Sequence, residues 1–351
     1  MKSAVIVTIY KRYNYIAQAL SSLLNQTIVP EQVIITTDNV EFVKGLPLIK
    51  GFQNYNIIEA GYASIGKKIA AAIDYLNNDI DIVFFLEDDD MFKSDKIEYI
   101  KRIFEKNDDI VMIHNHQQYI DIIGNKIENF YAKSLDERQP HEDMVINSNN
   151  ILSIYRHYSN IHHNTSSMGI RKNVLIKYKS FIEGIDNIPD LALFFISLLE
   201  GNILHVSRRL TFFRVGSGIT SFGKFSSYND FVEFQHKTIC KANRDLKDYY
   251  NILKLVKNCN NCRRVVEILI INLEKYLYIY NNYFNCTYKV KLPSYGNFLF
   301  KFIKYLLISQ MNISEFSFSL IAITMPLLFG KRRTPQFLLI RHYKNIQNNN
   351  I

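Results

Sequence analysis

Apolar and polar positions along residues 1–110 alternate between two periods. Short β-branched or apolar runs at 4–8, 32–37, 57–58 and 82–86 read as strands. Between them, Ile16, Ala19, Leu20, Leu23 and Leu24 recur at helical spacing, as do Ile65, Ile69, Ala72, Ile73 and Leu76. Strands alternating with helices of this length predict a doubly wound, mainly parallel α/β sheet. A further helix should carry Ile97, Ile100, Ile103 and Phe104 inward behind a Ser94 cap. After Asp109 the alternation stops. A strand at 111–116 and a hairpin at 119–127, turning at Gly124 and Asn125, are expected next, then irregular loops over 128–164. Pro189 opens an apolar helix over 190–200 that Gly201 closes. From Phe231 on, helical spacing dominates, including 265–280. The pattern thus divides the chain into 1–110, 111–228 and a helical 229–351.

The sharpest change of pattern lies in I-D-I-V-F-F-L-E-D-D-D-M-F, residues 80–92. Five apolar residues run directly into Glu87, Asp88, Asp89 and Asp90. A run of that kind fits a strand buried on both faces, and the carboxylates then fall at its carboxyl end, where open α/β sheets bind ligands. Four adjacent carboxylates are stable only if solvated or neutralised by a cation. Oxygen-only clusters suit Mg²⁺ or Mn²⁺, which take one or two carboxylates plus substrate phosphates. Charge alone leaves a solvated acidic loop as an equal alternative.

Composition narrows the class. With 48% hydrophobic and 21% charged residues and seven prolines, the 351-residue chain is globular, without long disordered linkers. Of the net charge of +9, the segment 287–351 carries nine basic residues against Glu315 alone. There the charges flank apolar runs, which favours a membrane surface at 290–345 over nucleic acid. The run 316–329 has 14 residues and contains Pro326, short of the roughly 20 that span a bilayer; a buried helix is the alternative. No charged leader followed by a long apolar core is visible at the N-terminus, which implies a cytoplasmic protein, at most at the cytoplasmic face of a membrane. Cys240, Cys259, Cys262 and Cys286 are then expected as reduced thiols, since one C-N-N-C pair is weak evidence for metal.

Several segments, in order, resemble family 2 glycosyltransferases of the GT-A fold over about the first 225 residues: V-I-V-T-I-Y-K-R (5–12), A-L-S-S-L-L-N-Q-T (19–27), V-I-I-T-T-D-N (33–39), F-L-E-D-D-D (85–90) and F-F-R-V-G-S-G-I-T (212–220). The resemblance implies a GT-A type sheet with an acceptor-side subdomain and a helical C-terminal extension. It also implies a nucleotide-sugar donor, a divalent Mn²⁺ or Mg²⁺ ion, and a saccharide, lipid-linked or protein acceptor. Asp38 would bind the nucleobase, with Thr8 and Tyr10 lining the pocket. Glu87 would face the ribose or a metal-bound water, Asp88 would adjoin the donor, and Asp89 would ligate the metal. Lys67 would face the diphosphate, where the family often carries arginine. Asp190 would be the base of an inverting transfer, with Asp186 in reserve. His162, His163 and Arg214 would lie on the acceptor side. Two departures stand out: Glu87 replaces the usual aspartate, and Gly216 occupies a position where a histidine often serves the metal.

Each of these residues also has a structural reading. Asp38 can close a turn, Lys67 can be a solvated lysine, Asp190 can stabilise a helix start, and adjacent histidines are commonly solvated. Two other functions stay open. A nucleotidyltransferase would use a similar acidic loop, but the segment after the first strand, Tyr10 to Tyr13, contains no glycine. A non-catalytic scaffold would explain the departures at Glu87, Pro189 and Gly216, although Asp38 and Asp89 are retained.

Overall fold

The computed structural model describes residues 1–217, 225, 227–309, 324 and 333–349. The chain forms two compact units, Met1–Ser217 and Gly218–Ile351. The strands of 1–110 and of 111–217 belong to one sheet and lie in the first unit.

The first unit opens with β1 (Ser3–Thr8), α1 (Ile16–Leu24), β2 (Gln32–Thr37), α2 (Val40–Lys44), β3 (Tyr55–Glu59), α3 (Ile65–Ile73) and β4 (Ile82–Glu87). Strands β3, β2, β1 and β4 lie side by side and parallel. The apolar runs of β1, β2 and β4 are buried on both faces, while β3 at the edge is half-buried; Val5, Val7, Val33, Ile35, Phe84 and Leu86 pack with Ile16, Leu20 and Leu23 of α1 in one core. The first turn of α3 is set by a close approach. A Cβ on Gly66 would stand 2.2 Å from the carbonyl oxygens of Ile182 and Ile185, so only glycine fits there.

Next come β5 (Met91–Phe92), α4 (Lys96–Phe104) and β6 (Ile110–Ile120). Ile97, Ile100 and Phe104 are fully buried as expected, while Ile103 is half-buried. Asp95, not Ser94, takes the cap position of α4, and it makes no side-chain cap bond. Strand β6 is one 11-residue strand, and its end folds back as the expected hairpin, with an antiparallel bridge between Ile120 and Lys126 and the Ile127 amide donating to the Tyr119 carbonyl at 3.1 Å. The turn at Gly124 does form, with φ +102°, and Asp121 Oδ1 accepts the amides of Ile123, Gly124 and Asn125 at 3.0, 2.8 and 2.8 Å.

The stretch read as loops holds regular structure: α5 (Phe130–Asp136), β7 (Met144–Ile146) and α6 (Ile151–His157). These elements have seven residues or fewer, too few for a period to declare itself. Then follow β8 (Met168–Arg171), α7 (Lys172–Lys177), α8 (Lys179–Glu183), α9 (Pro189–Glu200) and β9 (Asn202–Arg214). Proline at the start and Gly201 at the end bound α9 as its sequence implies. The full sheet order is β3-β2-β1-β4-β8-β6-β9-β5, with β7 on β9. Strand β8 is antiparallel to both β4 and β6, and β9 is parallel to β6. The carboxyl ends of β1, β2, β4, β6 and β9 thus share one edge of the sheet.

The second unit contains α10 (Tyr228–Leu255), α11 (Asn260–Tyr280), α12 (Tyr295–Ser309) and α13 (Arg333–Asn349). Its helices bury Leu246, Ile252, Val265, Val266 and Leu277. The expectation of free thiols is overturned: disulfides join Cys240 to Cys286 and Cys259 to Cys262. Among the described residues no helix is long and apolar enough to cross a membrane. The run 316–329, apart from Thr324, and the basic residues Lys331 and Arg332 lie outside the described residues.

Candidate active site

Register fixes the donor side. Parallel pairing sets Thr8 beside Thr36 on one flank and Glu87 on the other, so the ends of β1, β2 and β4 converge. Asp38 follows β2 and accepts two hydrogen bonds on Oδ1, from Tyr13 Oη at 2.6 Å and the Lys11 amide at 3.3 Å. Burial pushes its carboxyl up, but these donors outweigh burial and hold it below the usual range. The Tyr10 amide donates to Asp88 Oδ2 at 3.0 Å. The β1 loop is thereby tied to both neighbouring strand ends.

The acidic loop divides by direction. Asp88 and Asp90 turn inward, with Asp90 accepting from the Arg214 amide at 3.1 Å and Asn164 Nδ2 at 3.0 Å. Burial first, then neighbouring carboxylates, push Glu87, Asp88 and Asp90 upward, Asp88 and Asp90 to about 7. Asp89 accepts from Ser217 Oγ at 2.6 Å. Arg12 is the principal counter-charge. Its guanidinium stands 2.5 Å from Asp89 Oδ2, 2.6 Å from Asp88 Oδ1 and 3.9 Å from Glu87 Oε2. The Asp88 contact is an ion pair out of line for a hydrogen bond, so that buried oxygen accepts none. Lys11, with φ +58°, turns the chain so that Arg12 points into the cluster.

A second cation comes from α3, one residue from where it was expected. Lys67 is exposed, whereas Lys68 is 1% exposed, donates to the Ile9 carbonyl at 2.6 Å and stands 4.3 Å from the Tyr10 ring centroid. Burial lowers its ammonium to about 8, against the opposing pull of Asp38 and Asp88. Four carboxylates facing Arg12 and Lys68 leave an excess of negative charge and an unsatisfied buried oxygen on Asp88. That donor set fits a hard divalent cation.

Toward β6 and β9, Asp190 sits in the first turn of α9, half-buried, with Oδ1 accepting its neighbour's amide at 2.9 Å. Its charge is felt by His162 and His163, so these three residues do come together. Burial lowers both imidazoles, His163 to about 4, and the Nδ1 atom of each is buried without a hydrogen bond. His162 packs against Tyr155 and Phe194, and His163 against Phe213. Asp186 is half-buried, and its carbonyl accepts the Ile65 amide at 3.2 Å.

Residues 4–178 match the family model described as Glycosyl transferase family 2. The chain belongs to that family. A curated relative, an uncharacterized glycosyltransferase of Rickettsia bellii strain RML369-C, is 28% identical over 141 residues, 38% of this chain. The match spans 19% of the relative's length. Among solved structures, residues 1–349 of S. aureus TarS superpose with TM-score 0.54 at 15% identity, covering 96% of this chain and 90% of that one. The same TarS fragment in complex with UDP-GlcNAc gives TM-score 0.54 at 13% identity, with coverage of 96% and 91%. At these identities the likeness concerns the fold, a GT-A sheet with a helical C-terminal region.

Two expected positions take on structural work in this family 2 chain. Arg214 is 2% exposed, and its donors go to the protein: Nε to the Asp89 carbonyl at 2.8 Å, Nη1 to the Asp121 and Ile122 carbonyls at 2.9 and 3.0 Å, and Nη2 to Gln18 Oε1 at 2.5 Å. It braces the acidic loop against the β6 turn. Gly216 has φ +97°, a conformation that disfavours the histidine often found there. Two residues were missed in the sequence, Arg12 and Lys68. Arg12 carried a signal, since it follows Lys11 as one of two basic residues just past the end of β1, on a sheet whose neighbouring strand ends in four acids.

Proposed function

We propose that the chain transfers a sugar, with inversion, from a nucleotide-sugar donor to a hydroxyl of a saccharide, lipid-linked or protein acceptor. The observation that carries this reading is the convergence of Asp38, the β1 loop and the acidic loop at one sheet edge, the position where such sheets take nucleotides. The complex of TarS with UDP-GlcNAc supports a UDP-sugar as the first donor to test. Asp38 would accept a hydrogen bond from the base, and Thr8 and Tyr10 would line the nucleotide pocket. Glu87 and Asp89 would hold a divalent Mn²⁺ or Mg²⁺ ion, whose contribution is Lewis-acid neutralisation of the departing diphosphate. Lys68, at the Tyr10 ring, adds fixed positive charge on the same side. Asp190 would take the acceptor proton, and His162 and His163, held neutral by burial, would shape the acceptor side.

Titration calorimetry with UDP tests the donor site. In Mn²⁺, binding is expected at least about tenfold tighter than in chelator, because the carboxylates repel phosphate without a cation. Equal affinity in both buffers would remove the metal from the reading, and no binding of any nucleoside diphosphate would remove the reading itself.

A membrane-surface contact through 290–345 belongs to the same proposal. On α12 and α13, Phe300 is 73% exposed and Phe337 55%, and Lys301, Lys304, Arg341 and Lys344 share those helices. Apolar side chains among cations fit an anionic interface. Vesicles containing phosphatidylglycerol should sediment the protein at low salt and release it as salt rises. Retention in the supernatant with every vesicle would place this face against protein instead.

A further inference from the structure

We propose that His116, Asp136 and His141 form a binding site for a transition-metal dication of the zinc type, separate from the acidic loop. The ligand atoms of the three side chains lie within 4.8 Å of one another. His116 Nε2 is 2.9 Å from Asp136 Oδ1, and His141 Nε2 is 3.9 Å from Asp136 Oδ2. Two imidazoles and one carboxylate are a donor set that zinc uses, with metal bonds of about 2.0–2.2 Å.

The hydrogen-bond network leaves the lone pair of His116 aimed at that carboxylate. Gln117 Nε2 faces the carbonyls of Asn115 and His163 at 3.2 and 3.1 Å, and carbonyls only accept. The amide of Gln117 is thereby oriented, and its Oε1 meets Gln139 Nε2 at 2.5 Å. The Gln139 amide is oriented in turn, so its Oε1 is the atom 3.3 Å from His116 Nδ1. An amide oxygen accepts, so His116 must carry its hydrogen on Nδ1. In the neutral ring Nε2 is then bare, 2.9 Å from a carboxylate oxygen, and two lone pairs face each other.

Something positive has to lie between them. A second proton on His116 would serve, but it would put a second positive charge, in a ring that is 1% exposed, beside a carboxylate whose charge is already paired. Arg209 already pairs with Asp136, at 2.8 Å from Oδ1 and 3.1 Å from Oδ2. A metal ion removes the conflict and recruits His141, whose ring is 5.3 Å from that of His116. Gln139 then acts as the outer partner that fixes the ligand tautomer, a recurrent feature of histidine metal sites. Arg209 holds the carboxylate in place while its charge weakens the site. His205, 6.1 Å from the His116 ring, packs from the β9 side and is neutral through burial. The bound ion would pin the end of α5 and the loop after it to β6. Those segments wall a cavity of about 270 Å³ lined by Asp136, Arg209, Lys126, Lys133, Glu128 and Tyr119.

Zinc binding to the full chain tests this, using competition with a chromophoric chelator and metal counting after dialysis. The disulfides are kept oxidised, because free thiols also bind zinc. With Mg²⁺ in excess to fill the acidic loop, wild type and Asp89→Asn should each hold one zinc with equal affinity, and His141→Ala should bind it at least about tenfold more weakly. The side chain of His141 is 58% exposed, so the variant should melt like wild type in chelator. Equal zinc affinity in wild type and His141→Ala would overturn the site, as would loss of the zinc in Asp89→Asn. Absence of zinc from wild type at micromolar free metal would do the same and leave His116–Asp136 as a protonated pair.

Discussion

An Asp190→Asn variant is expected to bind UDP as wild type does and to transfer sugar on the order of 10² to 10⁴ times more slowly. Asparagine keeps the shape of the side chain, and its amide oxygen can still accept the backbone bond that Asp190 Oδ1 takes at 2.9 Å. What it loses is the capacity to accept a proton. If the carboxylate serves only the start of α9, the same change should cost up to about 1 kcal/mol of stability and leave turnover nearly intact. Donor affinity, melting temperature and transfer rate, measured together, separate the cases. The pH profile adds a further readout, since removal of a base should abolish the acidic limb of kcat/KM. A fully active Asp190→Asn enzyme would sink the assignment and move the search to Asp186.

The strand ends were legible in the sequence because burial on both faces leaves an uninterrupted apolar signature. The residue after such a run is placed to within one position. That is why Asp38, Glu87 and Asp89 could be set at one sheet edge beforehand. Helix α3 shows the limit of this reasoning: adjacent residues differ by about 100° around the axis, so a slip of one position turns a buried side chain into a solvated one. Lys67 is exposed and Lys68 buried on that account. Arg12 was harder to see, because its direction depends on the positive φ of Lys11 and no hydrophobic period registers it. Brief helices such as α5 and α6 are fixed by tertiary contacts that a local pattern does not carry. The Cys240–Cys286 bond joins residues 46 apart in sequence, and connectivity at such separation is invisible before folding. Arg214 is a related case. A conspicuous arginine in a family-like segment suggested acceptor contact, yet its donors brace the acidic loop.

Replacing Arg12 by glutamine should destabilise the metal-free protein by about 2–4 kcal/mol at pH 8, toward the lower side of what breaking a buried ion pair costs, because Arg12 keeps partial contact with water. Asp88 is fully buried, and the substitution takes away its principal counter-charge, while Asp90, almost as deeply buried, loses only a more distant one. The pH dependence follows from the direction of the shifts. Burial raises Asp88 and Asp90 to about 7, so these groups favour the protonated native state. Their cost to stability is full above that value and fades as pH falls from 7 toward the unfolded range near 4. The difference between wild type and Arg12→Gln in urea unfolding should therefore shrink between pH 8 and pH 5. Mn²⁺ should act in the opposite sense to the mutation, neutralising the same oxygens. On the proposed reading the metal would compete with Arg12 for Asp89 in wild type, so Arg12→Gln should bind Mn²⁺ on the order of tenfold more tightly without donor and regain most of its lost stability. UDP affinity distinguishes two roles for the displaced side chain. Weaker binding of UDP–Mn²⁺ to the variant means that the guanidinium turns to the diphosphate, and unchanged binding means that it only fills the acidic loop between turnovers. Identical unfolding curves for the two proteins at pH 8 would show that solvent, not Arg12, carries the charge of these four residues.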